Sequence, residues 1–165
     1  MAVARLPGLR NFTAFWPLAR CPGVRVRYVE RGTGLGCPDL VILPGTKTTV
    51  RDLAWLRAVG LAERIVDAER VHSGPYVAGI CGGFQMLGRT IADPHGLEGQ
   101  PGVTDGLGLL DVETVLGPAK ELRVANATHV ASGEPISGYH MHMGVTTGGD
   151  TALPFSRIDG KREGA

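Results

Sequence analysis

The sequence predicts an α/β fold in which a mostly parallel sheet carries an antiparallel flank, within one domain of 165 residues. Residues 39–43 and 76–80 are apolar runs of the length expected for buried strands, and a helical pattern separates them. That order requires a right-handed crossover between two parallel strands. The strand patterns at 108–115, 122–128 and 136–145 instead follow one another without helices, which predicts the antiparallel flank.

The segments before these strands are predicted to lie at the margin of the sheet. Residues 1–22 show little periodicity and are interpreted as an extended lead-in or linker, so that the domain proper covers residues 23–165. Residues 24–29 alternate apolar and basic side chains, which is typical of a half-buried strand near a sheet edge. The glycine-rich turn at 32–36 leads into another strand, whereas a phosphate-binding turn must open a helix.

Two short helices are predicted between the apolar strands, with an interruption near Gly60. Their apolar face is formed by Leu53, Leu56, Val59, Leu61, Ile65 and Val66. The turn at 44–49 allows two interpretations, which are an ordinary connection with a threonine helix cap and a loop that supplies a backbone N–H to an oxyanion. Residues 93–106 are rich in proline and glycine and predict a surface loop.

Composition argues against several kinds of partner. The net charge is +1 with both signs interspersed, so neither a nucleic acid nor a membrane is expected to bind. The three cysteines form no C-x-x-C pair and their number is odd, which argues against a disulfide framework and fits a reducing, cytoplasmic setting. No apolar run approaches the ~18 residues that span a bilayer. His140 and His142 share one face of a predicted strand, but no third ligand accompanies them, and no metal site is predicted.

The most informative stretch is 77–88, where an apolar strand runs into Cys81 and a short helical pattern follows. Gly79-x-Cys81-x-Gly83 has the spacing of a nucleophile elbow, in which residues two positions from the nucleophile must be small. Cys81 would then lie at a helix N-terminus, where N–H groups stabilise a thiolate and an oxyanion. The N–H of Gly82 and one from the hydroxyl-rich turn are the predicted oxyanion donors. A lone cysteine is more often a small buried apolar residue, but the glycine pattern favours a nucleophile.

At residues 79–88 (GICGGFQMLG) the chain resembles the class I glutamine amidotransferases, in the branch typified by cobyric acid synthase. Segments 39–49 (DLVILPGTKTT), 106–114 (GLGLLDVET) and 138–144 (GYHMHMG) are similar to further motifs of that family and occur in the same order. Residues 5–13 resemble the segment that joins the family's synthetase domain to its amidotransferase domain. The resemblance therefore extends over nearly the whole chain.

This resemblance implies a flavodoxin-like three-layer sandwich, and a Cys81 thiolate that attacks the side-chain amide carbon of glutamine to form a thioester. The site residues that it implies are Gly82 and Gly45 for the oxyanion and Gln85, Thr46, Tyr139 and His142 for substrate binding. For Gln85, an ordinary exposed helix position is an equally good interpretation.

The family also implies partners. A synthetase domain that uses ATP and Mg²⁺ is expected before residue 1, where it would amidate carboxylates of a corrin ring with the released ammonia. No cofactor is expected on the amidotransferase domain itself. Two alternatives stay open: an amidotransferase that acts on a lipid-linked cell-wall intermediate, and a non-catalytic docking module. The D-V-E-T ending at 111–114 and the lead-in favour the corrin branch.

The chain departs from the family in two places. The family usually has an acidic residue at the position of His140. Its catalytic histidine lies in a GTYLHG-like stretch beyond the position of Ala165, and His142 belongs to a separate, upstream motif. We therefore expect the sequence to be C-terminally incomplete and to hydrolyse glutamine slowly on its own.

Overall fold

The computed structural model describes residues 1–9 and 11–165, and the side chains of these residues except 12 and 119–121. Arg10, which belongs to the predicted lead-in, lies outside the described residues. The chain forms two compact units, residues 1–86 and 87–165, where one domain was expected. The elements of the first unit are strands β1 (Ala2–Ala4), β2 (Arg27–Val29), β3 (Leu40–Leu43) and β4 (Tyr76–Gly79), helices α1 (Trp16–Ala19), α2 (Thr49–Ala58) and α3 (Leu61–Glu69), and the start of α4 (Gly82–Leu87).

The four strands of the first unit form a parallel sheet in the order β2-β1-β3-β4. β3 and β4 are neighbours, with Leu43 opposite Gly79, so the predicted pairing of the two apolar strands is confirmed. The chain passes from β3 to β4 through α2 and α3, as a parallel connection requires. The carboxyl ends of β3 and β4 therefore lie at the same edge of the sheet.

The interpretation of residues 1–22 as a linker is wrong at its start. Ala2–Ala4 forms β1, which lies between β2 and β3, and Val3 is completely buried. A strand of three residues is too short to show a period of two, so the pattern gave no sign of it. The predicted strand at 24–29 begins at Arg27 and lies at one end of the strand order, in agreement with the expected edge position.

The predicted pair of short helices is confirmed. α2 ends at Ala58, and Gly60 adopts a φ of 69° at the start of α3, a conformation that suits glycine. The apolar face of these helices forms the core of the unit, since Leu53, Leu56, Leu61 and Ile65 have no exposed surface.

The second unit begins with the end of α4 and contains a six-stranded mixed sheet. Its strands are β5 (Thr90–Asp93), β6 (Gly102–Asp105), β7 (Glu113–His129), β8 (Pro135–Thr147), β9 (Ser156–Ile158) and β10 (Lys161–Glu163). β5 and β7 are parallel, and all other pairs are antiparallel. Its buried residues include Ile91, Val112 and Ile158.

Three boundaries in this unit differ from the prediction. The surface loop expected at 93–106 is shorter, because residues 102–105 form β6 against β5. The strand expected at 108–115 begins only at Glu113, and it continues through 122–128 as one long strand, with a register shift after Val115. These strands pair with one another and with β5 in the described part of the chain, so the antiparallel region is a sheet of its own. The α/β fold class is confirmed.

Candidate active site

Cys81 links β4 to α4 and has a left-handed backbone, with a φ of 52°. For a residue with a Cβ this conformation costs roughly 1–2 kcal/mol, and it persists only where the surroundings enforce it. Gly83 N–H donates to Ile80 O at 2.9 Å and Gln85 N–H donates to Cys81 O at 3.1 Å, which closes the turn around the cysteine. The backbone therefore has the sharp strand-to-helix bend that the sequence predicts.

The two glycines that flank this bend are sterically required. A Cβ on Gly79 would lie 2.6 Å from the carbonyl oxygen of Gly83 and 2.5 Å from Cα of Phe84. A Cβ on Gly83 would lie 2.0 Å from the carbonyl oxygen of Leu43. Because each clash is with backbone, neither position tolerates a side chain without movement of β3 or α4. The G-x-C-x-G spacing thus has a direct physical cause.

The loop after β3 borders the cysteine. A Cβ built on Gly45 would lie 3.5 Å from Cβ of Cys81 and 3.6 Å from the carbonyl oxygen of Ile80. On the other side of the bend, a Cβ on Gly82 would lie 2.9 Å from the methyl carbon of Thr46 and 3.6 Å from its backbone nitrogen. The two predicted oxyanion donors, Gly45 and Gly82, therefore belong to backbone segments in contact with each other beside Cys81.

The hydroxyl of Thr46 points to a buried carboxylate. It donates a short hydrogen bond to Oδ2 of Asp52, and it accepts one from Thr48 N–H at 3.2 Å. Thr48 is the N-cap residue of α2, as the ordinary connection predicts, but its side chain makes no cap hydrogen bond. The backbone and methyl group of Thr46 are what remain for the predicted contact with substrate.

Gln85 is a buried residue of α4, with 6% of its surface exposed, so its interpretation as an ordinary exposed helix position is wrong. The hydroxyl of Thr49, at the start of α2, donates to Oε1 of Gln85 over 3.3 Å. This contact joins the helix after the predicted oxyanion donor Gly45 to the helix after Cys81.

Sequence reasoning missed three residues of this cluster, which are Thr49, Asp52 and Gly8, whose N–H donates to Oδ2 of Asp52 at 3.0 Å. Asp52 precedes Leu53 and lies four positions before Leu56, so the helical period could have placed it on the buried face of α2. Gly8 gave no such signal, because its segment was interpreted as a linker.

The remaining predicted site residues, Tyr139 and His142, lie on β8 in the second unit. Three positions apart on a strand, they point to opposite faces: Tyr139 is 78% exposed, whereas His142 is partly buried and its Nδ1 lies 3.1 Å from the carbonyl oxygen of Gly144. The rings of His140 and His142 lie 4.8 Å apart, as expected for two side chains on the same face. His140 Nε2 is 3.3 Å from a carboxylate oxygen of Glu163.

Cys21 and Cys37 are free thiols on the surface, and Cys81 is partly buried. Among the side chains that the structure describes, no three from histidine, cysteine or acidic residues are grouped so that they could hold a metal ion. Within residues 1–9 and 11–165, no helix is long and apolar enough to cross a membrane.

The model of the CobB/CobQ-like glutamine amidotransferase domain family matches residues 1–165 of the sequence. The chain belongs to this family. The family predicted from the elbow and its companion motifs is therefore confirmed.

Curated relatives of this amidotransferase domain are longer proteins. Cobyric acid synthase of Cereibacter sphaeroides is 54% identical over 156 residues, which are 94% of this chain and 32% of that protein. Cobyric acid synthase of Rhodobacter capsulatus is 49% identical over 166 residues, which are 100% of this chain and 34% of that protein. The chain spans about a third of the length of the curated relatives it matches.

Solved structures show the same fold at low sequence identity. A crystal structure of a glutamine amidotransferase has a TM-score of 0.69 and 17% identity, and the match covers 98% of this chain and 82% of that one. The structure of PurLQS from Thermotoga maritima has a TM-score of 0.68 and 21% identity, over 99% of this chain and 76% of that one. These matches confirm the predicted amidotransferase fold class.

Proposed function

We propose that this domain releases ammonia from glutamine for a cobyric acid synthase, which uses it to amidate side-chain carboxylates of a corrin ring. The observation that carries the reaction is the left-handed bend at Cys81, enforced by glycines on both sides. The 54% and 49% identity to relatives named cobyric acid synthase supports the acceptor class.

The proposed reaction takes place at the sulfur of Cys81. The thiolate attacks the side-chain amide carbon of glutamine, so a C–S bond forms and the amide oxygen becomes an oxyanion. The C–N bond then breaks as the carbonyl re-forms, the nitrogen takes up the proton that the thiol gave up on ionising, and ammonia leaves. Water attacks the resulting thioester, which yields glutamate and restores the thiol. The N–H groups of Gly82 and Gly45 stabilise the oxyanion, and each such donor is typically worth ~3 kcal/mol.

The remaining parts of the proposal concern partners. We assign the use of ATP and Mg²⁺ to a synthetase domain, because the curated relatives are about three times as long as this chain. The thioester chemistry itself uses only the side chain and backbone of the amidotransferase domain. A cytoplasmic setting is proposed because the nucleophile must stay a reduced thiol.

The nucleophile and its substrate are tested together by a glutamine-shaped diazoketone, whose electrophilic carbon occupies the place of the amide nitrogen. The background carries Cys21→Ser and Cys37→Ser, because both of these thiols are exposed. We expect the reagent to label Cys81 and glutamine to protect it, whereas asparagine does not. Labelling that glutamine fails to slow, or that persists in Cys81→Ala, would contradict the proposal and favour a non-catalytic docking module.

The acceptor is tested in a protein of the relatives' length that contains this chain. We expect ATP-dependent amidation of a corrin polycarboxylate with either glutamine or free ammonia. Cys81→Ala should abolish the glutamine-dependent rate and leave the ammonia-dependent rate in place, because only nitrogen supply requires the thiol. Amidation of a lipid-linked cell-wall precursor in place of the corrin would contradict the proposed acceptor and leave the glutaminase intact.

A further inference from the structure

Asp52 is a carboxylate with no exposed surface, on the face of α2 that points into the first unit. A residue of this type is almost never fully buried unless hydrogen bonds compensate its desolvation. The N–H of Gly8 lies 3.2 Å from Oδ1 and 3.0 Å from Oδ2, and the Thr46 hydroxyl donates to Oδ2. Asp52 therefore connects the segment after β1 to the loop after β3.

Side-chain oxygens of Thr46, Asp52 and Thr48 fill the space beside Gly8. A Cβ on Gly8 would lie 2.2 Å from Oγ1 of Thr46, 2.5 Å from Oδ2 of Asp52 and 2.9 Å from Oγ1 of Thr48. The N-terminal segment is thus in close contact with the loop after β3, and a side chain at position 8 would displace the oxygens that hydrogen-bond there.

Thr46 carries this connection to the elbow. The hydroxyl of Thr46 is held by Asp52, and its methyl carbon faces Gly82. A Cβ built on Gly82 would lie 2.9 Å from this methyl carbon. Gly45, the residue before Thr46, borders Cys81. The orientation of one threonine therefore couples the buried carboxylate to both predicted oxyanion donors.

We infer that Asp52 is a positioning residue, which holds the oxyanion loop, defined as residues 44–48, against the Cys81 elbow through the hydroxyl of Thr46. This inference rests on the proposed function. Asp52 accepts hydrogen bonds from Gly8 N–H and the Thr46 hydroxyl, so we assign its effect on the elbow to Thr46. Its effect should appear in the rate of the chemical step, because the loop donor acts on charge that develops only there.

The decisive variants change hydrogen bonding at nearly constant volume. Asp52→Asn replaces one acceptor oxygen by an NH₂ donor, which must then face either Gly8 N–H or Thr46 O–H. Thr46→Val removes the hydroxyl and keeps the methyl group, and Thr46→Ser keeps the hydroxyl. Asp67→Asn, on the exposed side of α3, is the matched control.

Two reagents, used in the Cys21→Ser, Cys37→Ser background, distinguish a displaced oxyanion loop from a general disturbance of the fold. Iodoacetamide reports access to the Cys81 sulfur, and the glutamine-shaped diazoketone also reports how its ketone oxygen is held. For Asp52→Asn and Thr46→Val we expect the saturating rate with the diazoketone to fall at least ~10-fold, because small displacements of an oxyanion donor are costly. The half-saturating concentration and the iodoacetamide rate should stay within ~2-fold.

The double variant provides the sharpest test. If Asp52 acts through Thr46, combining Asp52→Asn with Thr46→Val should slow the diazoketone reaction little more than either change alone. Thr46→Ser keeps the hydroxyl that Asp52 accepts from but loses the methyl group beside Gly82, so its rate should lie between those of the parent and Thr46→Val. If Asp52→Asn fails to fold, Thr46→Val and Thr46→Ser decide the question by themselves.

The opposing outcomes are distinct. Two results would overturn the positioning role and leave the proposed function standing. One is an unchanged diazoketone rate in both single variants. The other is a fall in diazoketone rate accompanied by an equal fall in the iodoacetamide rate and by a lower melting temperature. If glutamine does not protect Cys81 of the parent protein from the diazoketone, the proposed function is overturned, and the inference with it.

Discussion

Cys81 and Asp159 are the two residues other than glycine that have a positive φ in the described part of the chain, at 52° and 51°. Asp159 lies with Gly160 in the two-residue turn between β9 and β10, where Ile158 pairs with Lys161. Gly160 has a φ of 75°, and two central residues with positive φ are what this type of hairpin turn requires. Asp-Gly is a preferred sequence for it, so Asp159 adopts the left-handed region at little cost.

Cys81 has no comparable local reason for its conformation. Cysteine is not one of the residues that favour the left-handed region, and the bend lies between a strand and a helix. Its conformation is imposed from outside, by the close contact of Gly83 with β3 and of Gly79 with α4. The same backbone angle thus arises in one place from turn chemistry and in the other from packing. Only the second needs a functional explanation.

The largest expected effect comes from filling the space that enforces the bend. Gly83→Ala would place a methyl group 2.0 Å from the carbonyl oxygen of Leu43, and we expect a loss of about 3 kcal/mol or more in the free energy of unfolding. Both tryptophans, Trp16 and Trp55, belong to the first unit, so urea unfolding followed by tryptophan fluorescence measures this loss.

The matched change in the hairpin is Gly160→Ala, where a Cβ would meet nothing within 4 Å. We expect it to lower the free energy of unfolding by roughly 1 kcal/mol, because only the left-handed conformation disfavours alanine there. Urea unfolding detected by circular dichroism measures this loss. Equal losses for the two alanines would contradict the view that packing, and not the backbone angle alone, defines the elbow.

The second effect concerns backbone strain at Cys81, the predicted nucleophile. Cys81→Gly and Cys81→Ala both remove the thiol, so both should be inactive, but glycine relieves the left-handed strain. We expect the glycine variant to be about 1 kcal/mol more stable than the alanine variant in tryptophan-detected urea unfolding. Asp159→Gly should change stability by less than ~0.5 kcal/mol, because aspartate already suits its turn. A glycine variant less stable than Cys81→Ala would show that Cys81 is unstrained.

The elbow and the strands beside it show what the sequence could reveal. The spacing of Gly79, Cys81 and Gly83 was enough to predict the bend, because the steric requirement acts over two residues. The apolar runs of β3 and β4 were enough to predict their parallel pairing. Such features depend on neighbours in the sequence, and they could be read directly.

What the sequence did not reveal depends on contacts between distant segments. β1 is three residues long and is recognisable as a strand only from the strands on both sides of it. The hydrogen bonds of Asp52 span 44 residues to Gly8. The split of the strands into two sheets was missed for the same reason, since a strand pattern does not specify its partners.

A smaller effect is expected where the elbow helix is joined to α2. Thr49→Val removes the hydroxyl that donates to Gln85, and we expect a loss of about 1 kcal/mol, typical of one buried hydrogen bond. Thr49→Ser keeps the donor and should recover most of the stability. Tryptophan-detected unfolding of the two variants is the measurement, and equal stabilities would show that this hydrogen bond contributes nothing to holding α4.

The smallest effect concerns Asp93, where the carboxylate of a strand residue accepts hydrogen bonds from the loop that follows it. Its carboxylate accepts from Glu98 N–H at 2.8 Å and Leu97 N–H at 2.9 Å, and the bond from Glu98 is the main cause of a pKa below the usual 3.8. A carboxyl with a lowered pKa in the folded state stabilises the fold above its unfolded pKa and loses that contribution as the pH falls through the folded value. Wild type should therefore exceed Asp93→Asn in stability at neutral pH, and the difference should shrink as the pH falls below about 4. Urea unfolding of the second unit, followed by circular dichroism across that range, measures it. A difference that grows as the pH falls has the opposite sign, and would show that the loop does not hold Asp93 as an anion.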